Sequence, residues 1–244
     1  MARRAARHAL VALFWVGVWA LGAGAVGKPL LLPGPLDTLR ALIRLAQGAA
    51  FWQSTGMTLL RVAAGFLSAV FLGAALGALC YALPLAETLL SPLRGVIRAT
   101  PVSSFIILVL LWIQRGHVPA FISFLMVLPI VWTGVQQGLH ATDPLLLEMA
   151  RAYRFSRWKK LRYLYAPSVR PYFAAACMTG LGFAWKSGIA AEVIALPALS
   201  VGKNLYDAKI YLERADLFAW TLAVILLSLG LEALLKRAIG RIRG

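Results

Sequence analysis

Six apolar runs, separated by charged or turn-forming residues, constrain this chain more than any other feature. A hydrocarbon core of about 30 Å takes roughly 20 helical residues to cross. Runs of that order occur at Ala9–Val26, about Thr55–Ala82, from the Thr100–Pro101 step to about Gln114 with helical residues before it, about Val118–Gly138, about Pro171–Ala195 and about Leu217–Leu235. With 61% hydrophobic and 14% charged residues and a mean hydropathy of +0.77, the chain lies outside the range of soluble domains. The sequence predicts an all-α integral membrane protein, six transmembrane helices in a single domain over residues 1–244.

A formal net charge of +16 would point to nucleic acid in a soluble protein. Here the cations lie between apolar runs, so topology explains them and no nucleic-acid partner is implied. Six spans put both termini on one side. That side collects the three Arg residues before the first span, Arg94 and Arg98, seven cations from Arg151 to Arg170 and four from Lys236 to Arg243. The other side receives Lys28, Arg40, Arg44, Arg61, Arg115, Lys203, Lys209 and Arg214. By the positive-inside bias both termini are cytoplasmic. The first apolar run exceeds the roughly 7–15 residues of a secretory signal, so it reads as a retained anchor. Within Lys28–Ser54, apolar Leu36, Leu39, Ile43 and Ala46 alternate at helical spacing with Arg40 and Arg44, a pattern for a helix lying along the outer interface. Cys80 and Cys177 fall inside apolar runs and read as small buried hydrophobes.

Nucleotide and enzyme motifs fail on chemistry. Gly22–Pro29, GAGAVGKP, matches the glycine pattern of two phosphate loops. A phosphate loop needs a hydroxyl after its Lys and then a helix N-terminus; Pro29 follows Lys28 instead. His8, His117 and His140 are scattered, so no metal cluster is predicted, and paired carboxylates within a span are missing. The chain reads as a non-enzyme.

One dense basic segment stands out between the fourth and fifth runs, EMARAYRFSRWKKLRYLYAP, Glu148 to Pro167. Asp143 and Pro144 suit the N-cap and first turn of a helix. That helix places Leu145, Met149 and Ala152 on one face, with Glu148 and Arg151 on the other. The pattern breaks at Tyr153–Ser156, where Ser156 can cap a second short helix. This second helix has Trp158, Leu161 and Tyr165 on a stripe opposite Lys159, Lys160 and Arg162, and Pro167 is expected to stop it. A loop that only lies on anionic headgroups needs charge; a capped helix–turn–helix with its own apolar stripe points to docking on a cytoplasmic partner. Both readings remain open on the residues alone.

The segment resembles the EAA loop of binding-protein-dependent ABC importer permeases: Glu148, Ala150 two residues on, and Pro167 nineteen after the Glu. The family pattern is Glu-Ala-Ala, a Gly six after the Glu, then Ile-x-Leu-Pro. Thr58–Leu79, Leu89–Trp112 and Gly180–Ala195 are similar to the aliphatic sulfonate, taurine and nitrate group of these permeases. The resemblance implies a coupling loop over about 143–167, with Glu148, Met149, Ala150, Arg151, Arg154, Phe155, Ser156 and Arg157 seated in the cleft of a separate cytoplasmic ATPase. It further implies a second permease copy, two ATPase subunits that bind ATP and Mg, an extracytoplasmic substrate-binding protein, and residence in the bacterial inner membrane with no cofactor on this chain. The sequence departs from the pattern at Met149, Leu164 and Ala166, and above all at Arg154, where the family has Gly. If φ there is positive, a non-Gly residue is uncommon; either the turn is built differently or Arg154 reaches an acidic edge of the ATPase.

For a substrate path the sequence offers Lys186, the cation that fits no aqueous loop, about 22 Å past Pro171 at 1.5 Å per residue. Glu192 follows about 9 Å on and about 120° round the helix, not on the same face. Intramembrane charges mark a cavity or a partner; Lys186 either lines a cavity, snorkels, or neutralises Glu192 of another copy. Thr100, Ser103 and Ser104 at the start of the third span are candidate cavity hydroxyls, though bonding to their own helix competes. Trp132, Gln136 and Gln137 are candidates for an inner gate. The solute expected from the resemblance is small, polar and possibly anionic, such as a sulfonate, taurine or nitrate. The alternatives are a pyrimidine precursor of thiamine on the same architecture, an ATP-independent secondary transporter, and a membrane-embedded enzyme.

Overall fold

Eleven α-helices make up the computed structural model, which describes residues 2–28 and 31–242; Pro29 and Arg243, used in the sequence reading, lie outside them. No strand occurs among the described residues. The helices are α1 (Ala2–Val26), α2 (Pro35–Gln47), α3 (Ala49–Ala82), α4 (Pro84–Ala99), α5 (Val102–Val109), α6 (Val118–His140), α7 (Pro144–Ala152), α8 (Arg157–Lys160), α9 (Ala166–Ala195), α10 (Val201–Ile210) and α11 (Arg214–Ile242).

The centre is a three-helix layer in which α6 packs along both α3 and α9. Small residues allow the close approach. A Cβ on Gly65 of α3 would lie 2.1 Å from the Ala120 carbonyl oxygen of α6, and one on Gly134 of α6 would lie 2.6 Å from the Ala176 Cβ of α9. Into the remaining space pack Val62, Phe66 and Ala69 from α3, Val127, Val131 and Val135 from α6, and Ala184 and Trp185 from α9. Across the seam the Ser123 hydroxyl donates to the Ala184 carbonyl at 3.0 Å. The Trp185 indole N–H donates to the Val224 carbonyl at 3.1 Å, tying α9 to α11. At the end opposite the α6–α9 connection, α2 packs on α11 through the Arg44–Asp216 ion pair, Phe51 stacks on Trp220 at 4.8 Å, and Trp19 of α1 stacks on Phe218 at 6.1 Å.

Among the described residues three helices are long and apolar enough to cross a bilayer: α3, α6 and α11, with 33%, 61% and 17% of their apolar windows buried. Those figures place α6 inside and α11 at the rim. A fourth crossing arises if α4 and α5 form one broken span, bent by 103°. The third run was expected to continue through Pro101; the structure breaks it there. Proline lacks the N–H for a helical bond and disfavours the helical conformation at the residue before it, and Thr100 is extended at φ −78, ψ 130. The fifth expected span does not meet the same measure: α9, though 30 residues long, carries Lys186 and Glu192. The first expected span lies within the helix α1.

Two further expectations are corrected. Pro167 does not stop the chain: a π-turn, Leu161–Tyr165, leads directly into α9, with the Ala166 N–H donating to the Leu161 carbonyl. Widening the turn shifts the local hydrogen-bond register, one way a helix accommodates a proline. Arg61, assigned to an aqueous loop, lies in α3 and is nearly buried. The amphipathic helix expected in this region is present as α2, with Leu36, Leu39 and Ile43 exposed. Cys80 and Cys177 are both buried and free.

Candidate functional site

Three constellations hold the polar chemistry. The first is the connection between α6 and α9, at what is here called the basic end. Asp143 caps α7, its side chain accepting from the Leu145 N–H at 2.8 Å with Pro144 in the first turn. Ser156 caps α8 by accepting from the Lys159 N–H at 3.3 Å. Between them Arg154 stands at φ 51. The Phe155 N–H donates to the Ala150 carbonyl at 2.8 Å and the Arg154 N–H to the Arg151 carbonyl at 3.0 Å. This pair of bonds is a Schellman closure, which requires a left-handed residue at the Arg154 position and so favours Gly there. The turn therefore keeps the geometry suited to Gly while holding an Arg. Ala150 is fully buried and anchors the unit, and Leu164 in the following π-turn is buried as well. Glu148, Arg151, Arg154, Ser156 and Arg157 are exposed and Phe155 is half-buried. Of the two apolar stripes Leu145, Met149, Trp158 and Leu161 are exposed, as is Tyr153 beside them, whereas Tyr165 is half-buried against Tyr81. The connection thus presents a basic and apolar surface on a backbone with satisfied ends.

The second constellation is a groove between α4, α6 and α9, of about 300 Å³ in its half near the basic end and about 410 Å³ beyond. Pro129, Thr133 and Gln137 recur at four-residue spacing on α6, and Tyr172, Ala175, Thr179 and Phe183 form one stripe of α9. Arg98 lines both halves and Thr100 the outer one. The sequence reading placed Arg98 in a loop with Arg94; both belong to α4. Lys186 is exposed one turn beyond Phe183 on the same face of α9. Thr100 donates to the Val96 carbonyl at 2.9 Å, so its hydroxyl proton serves its own helix. Ser103 and Ser104 are exposed on the first turn of α5. Gln136 is not on the groove: its carbonyl accepts from Arg94 at 2.6 Å and its amide donates to Glu87 at 2.8 Å. Arg94 also pairs with Glu87 at 2.7 Å and lies 5.0 Å over the Trp132 ring. That closed triad pins α4 to α6, and Gln137 lines the groove in place of Gln136.

The third constellation, at the opposite end, corrects the assignment of Glu192 to an open path. Glu192 is fully buried. The Thr58 hydroxyl of α3 reaches both its carboxylate oxygens, Arg61 approaches at 3.4 Å, and the Gly202 N–H donates at 3.1 Å. The Val201 N–H donates to the Thr58 oxygen at 3.0 Å, and the Lys203 N–H to the cap residue Ser200 at 3.1 Å. The first three N–H groups of α10 are thereby satisfied, and the carboxylate sits where a helix N-terminus favours an anion. Arg61 also donates to the Ala198 and Leu199 carbonyls at 3.0 and 3.1 Å. A Cβ on Gly202 would lie 2.3 Å from the Glu192 Cβ, so the contact admits only Gly. The sequence reading missed Thr58 and Arg61 because they lie 134 and 131 residues from Glu192. Arg98, Thr133 and Thr179 were legible only as polar positions repeating along their helices.

Residues 69–244 match the family described as binding-protein-dependent transport system inner membrane component. The chain is 26% identical over 230 residues to the taurine transport system permease protein TauC of Escherichia coli, covering 90% of this chain and 83% of that protein. It is 29% identical over 231 residues to the riboflavin transport system permease protein RibX of Chloroflexus aurantiacus, covering 90% and 85%. Among solved structures, that of an amino acid ABC transporter with histidines aligns with a TM-score of 0.57 at 16% identity, over 77% of this chain and 93% of the other, a likeness of fold.

Proposed function

The chain belongs to the family of binding-protein-dependent transport system inner membrane components, and from that premise we propose that it is the permease subunit of an ATP-driven importer for a small polar solute. The observation that carries the reading is the doubly capped, Schellman-closed unit α7–α8, displayed with basic and apolar side chains uncovered. A charged loop with no protein partner has no need of that construction. In this reading Glu148, Met149, Ala150, Arg151, Arg154, Phe155, Ser156 and Arg157 form the contact to a cytoplasmic ATPase, which binds ATP and Mg²⁺ and performs the hydrolysis. Two permease copies and two ATPases make the transporter, and a binding protein delivers solute from outside.

The same reading takes α1, α3, the α4–α5 pair, α6, α9 and α11 as six crossings. Both termini and the basic end are then cytoplasmic, in keeping with the distribution of Lys and Arg. Helices α2 and α10 lie at the outer face. The groove between α4, α6 and α9 is the solute path. Relatives named for taurine and for riboflavin leave a range of solutes; the unpaired cations near the groove favour an anion.

The test is reconstitution of the full chain with its partner ATPase and binding protein in liposomes. Uptake is expected to require enclosed ATP and the binding protein. Uptake driven by a gradient with no ATPase present would replace the importer with a secondary transporter.

A further inference from the structure

Arg98 is the charged residue lining both halves of the groove. Its setting differs from that of Arg61 and Arg94. Arg61 is matched by Glu192 and Arg94 by Glu87, whereas Arg98 and Lys186 belong to no ion pair among the described residues. Arg98 is exposed beside the Pro129–Gln137 stretch of α6. If α6 crosses the membrane as in the importer reading, Arg98 lies within the crossing and not in the loop to which its charge was counted; a cation there faces either water or a counter-ion. The last turn of α4 is a favourable place for a positive charge, which accounts for Arg98 itself. It does not account for Thr179, a polar residue exposed on the α9 wall. Nor does it account for Lys186, one turn past Phe183 on the same stripe. From Gln137 to Met126 on α6, and from Tyr172 to Phe183 on α9, the groove runs about 16 Å at 1.5 Å per residue. Two unpaired cations therefore bracket Phe183 along one path.

Resting on the importer reading, we propose that Arg98 is the charge-selecting residue of the path: it receives the oxyanion head of the solute against Thr179, and Lys186 is the preceding station. A cleft of one sign with low-dielectric walls raises the local concentration of counter-ions by about ten- to a thousandfold. The chemical class is a compact solute with a carboxylate, sulfonate or similar group, and the neutral Gln137 and Tyr172 let it leave.

A reporter thiol at Thr179 tests this without knowledge of the natural solute. The T179C chain, assembled with its ATPase in phosphatidylcholine vesicles, is labelled with anionic sulfonatoethyl or cationic trimethylammonioethyl methanethiosulfonate, each rate normalised to a free thiol. Cys80 and Cys177 are buried, and the parent chain measures their background. The anionic reagent is expected to be favoured about tenfold or more, R98Q to remove that preference and R98K to retain it. A175C, at an exposed position on the same stripe of α9, serves the same purpose if T179C does not assemble. A preference for the cation, or one unchanged by R98Q, overturns the proposal. So does loss of the preference on adding phosphatidylglycerol, which would show a lipid headgroup holding Arg98. The labelling does not depend on transport: if it fails while ATP-driven uptake stands, only the role of Arg98 falls. If uptake proves independent of ATP, the importer reading falls whatever the labels show.

Discussion

The Thr58 hydroxyl sits 2.9 and 3.0 Å from the two carboxylate oxygens of Glu192, joining α3 to α9 across 134 residues of sequence. Breaking a buried ion pair from one side costs about 3–5 kcal/mol because the other charge stays buried. E192A is therefore expected to lower the unfolding temperature in detergent strongly, T58V by a smaller amount of about 1–3 kcal/mol. The double variant R61A/E192A should be less destabilised than the sum of its singles. Additive single effects would show that Arg61 and Glu192 do not support each other.

Arg154 holds a left-handed conformation at φ 51, which costs a non-Gly residue about 1–2 kcal/mol. R154G is expected to stabilise the α7–α8 unit by about 1 kcal/mol, and R154V to loosen it. Amide exchange at Phe155, whose N–H closes the turn on Ala150, measures both. Faster exchange in R154G would contradict the strain.

In the reconstituted transporter, E148A or a Gly-Gly insertion at Phe155 is expected to separate ATP hydrolysis from uptake, with ATPase assembly reduced or altered. The readouts are solute-stimulated hydrolysis and uptake in the same vesicles. Wild-type values for both would remove α7–α8 from the coupling.

Gly65 and Gly230 offer a contrast within one fold. G65A brings a methyl within 2.1 Å of a backbone oxygen of α6, whereas a Cβ on Gly230 meets nothing within 4 Å. The first is expected to cost about 1–3 kcal/mol through forced separation of α3 and α6. The second should gain about 1 kcal/mol from helix propensity. Thermal unfolding of the two variants in one detergent decides the comparison.

Local chemistry was legible in the sequence. Asp143 and Ser156 were identified as caps because capping needs only a side-chain oxygen two or three residues from a free N–H, and both bonds are present. The odd residue Arg154 was likewise visible by spacing. Partners distant in sequence were not: periodicity along α9 separates Lys186 from Glu192 but cannot name Thr58. The groove escaped for the same reason, since Arg98, Thr133 and Thr179 come from three helices. Pro167 misled because a single residue type was taken as a stop, and the neighbouring π-turn, Leu161–Tyr165, accommodates it. The span at Pro101 was read as one run because hydropathy carries no information about direction, and the 103° bend leaves hydropathy unchanged.

That π-turn has a mechanical consequence. With no stop at Pro167, the chain from Arg157 to Ala195 is helical throughout, a rod of about 58 Å at 1.5 Å per residue. Pivoted near its middle, such a rod moves each tip by about 2.5 Å for a tilt of roughly 5°, on half-lengths of about 29 Å from the same rise. Trp158 stands at one tip and the Glu192 clasp near the other, with Thr179 beyond the midpoint. A tilt of this helix as one body would therefore carry the basic tip and the far face of the molecule in opposite directions.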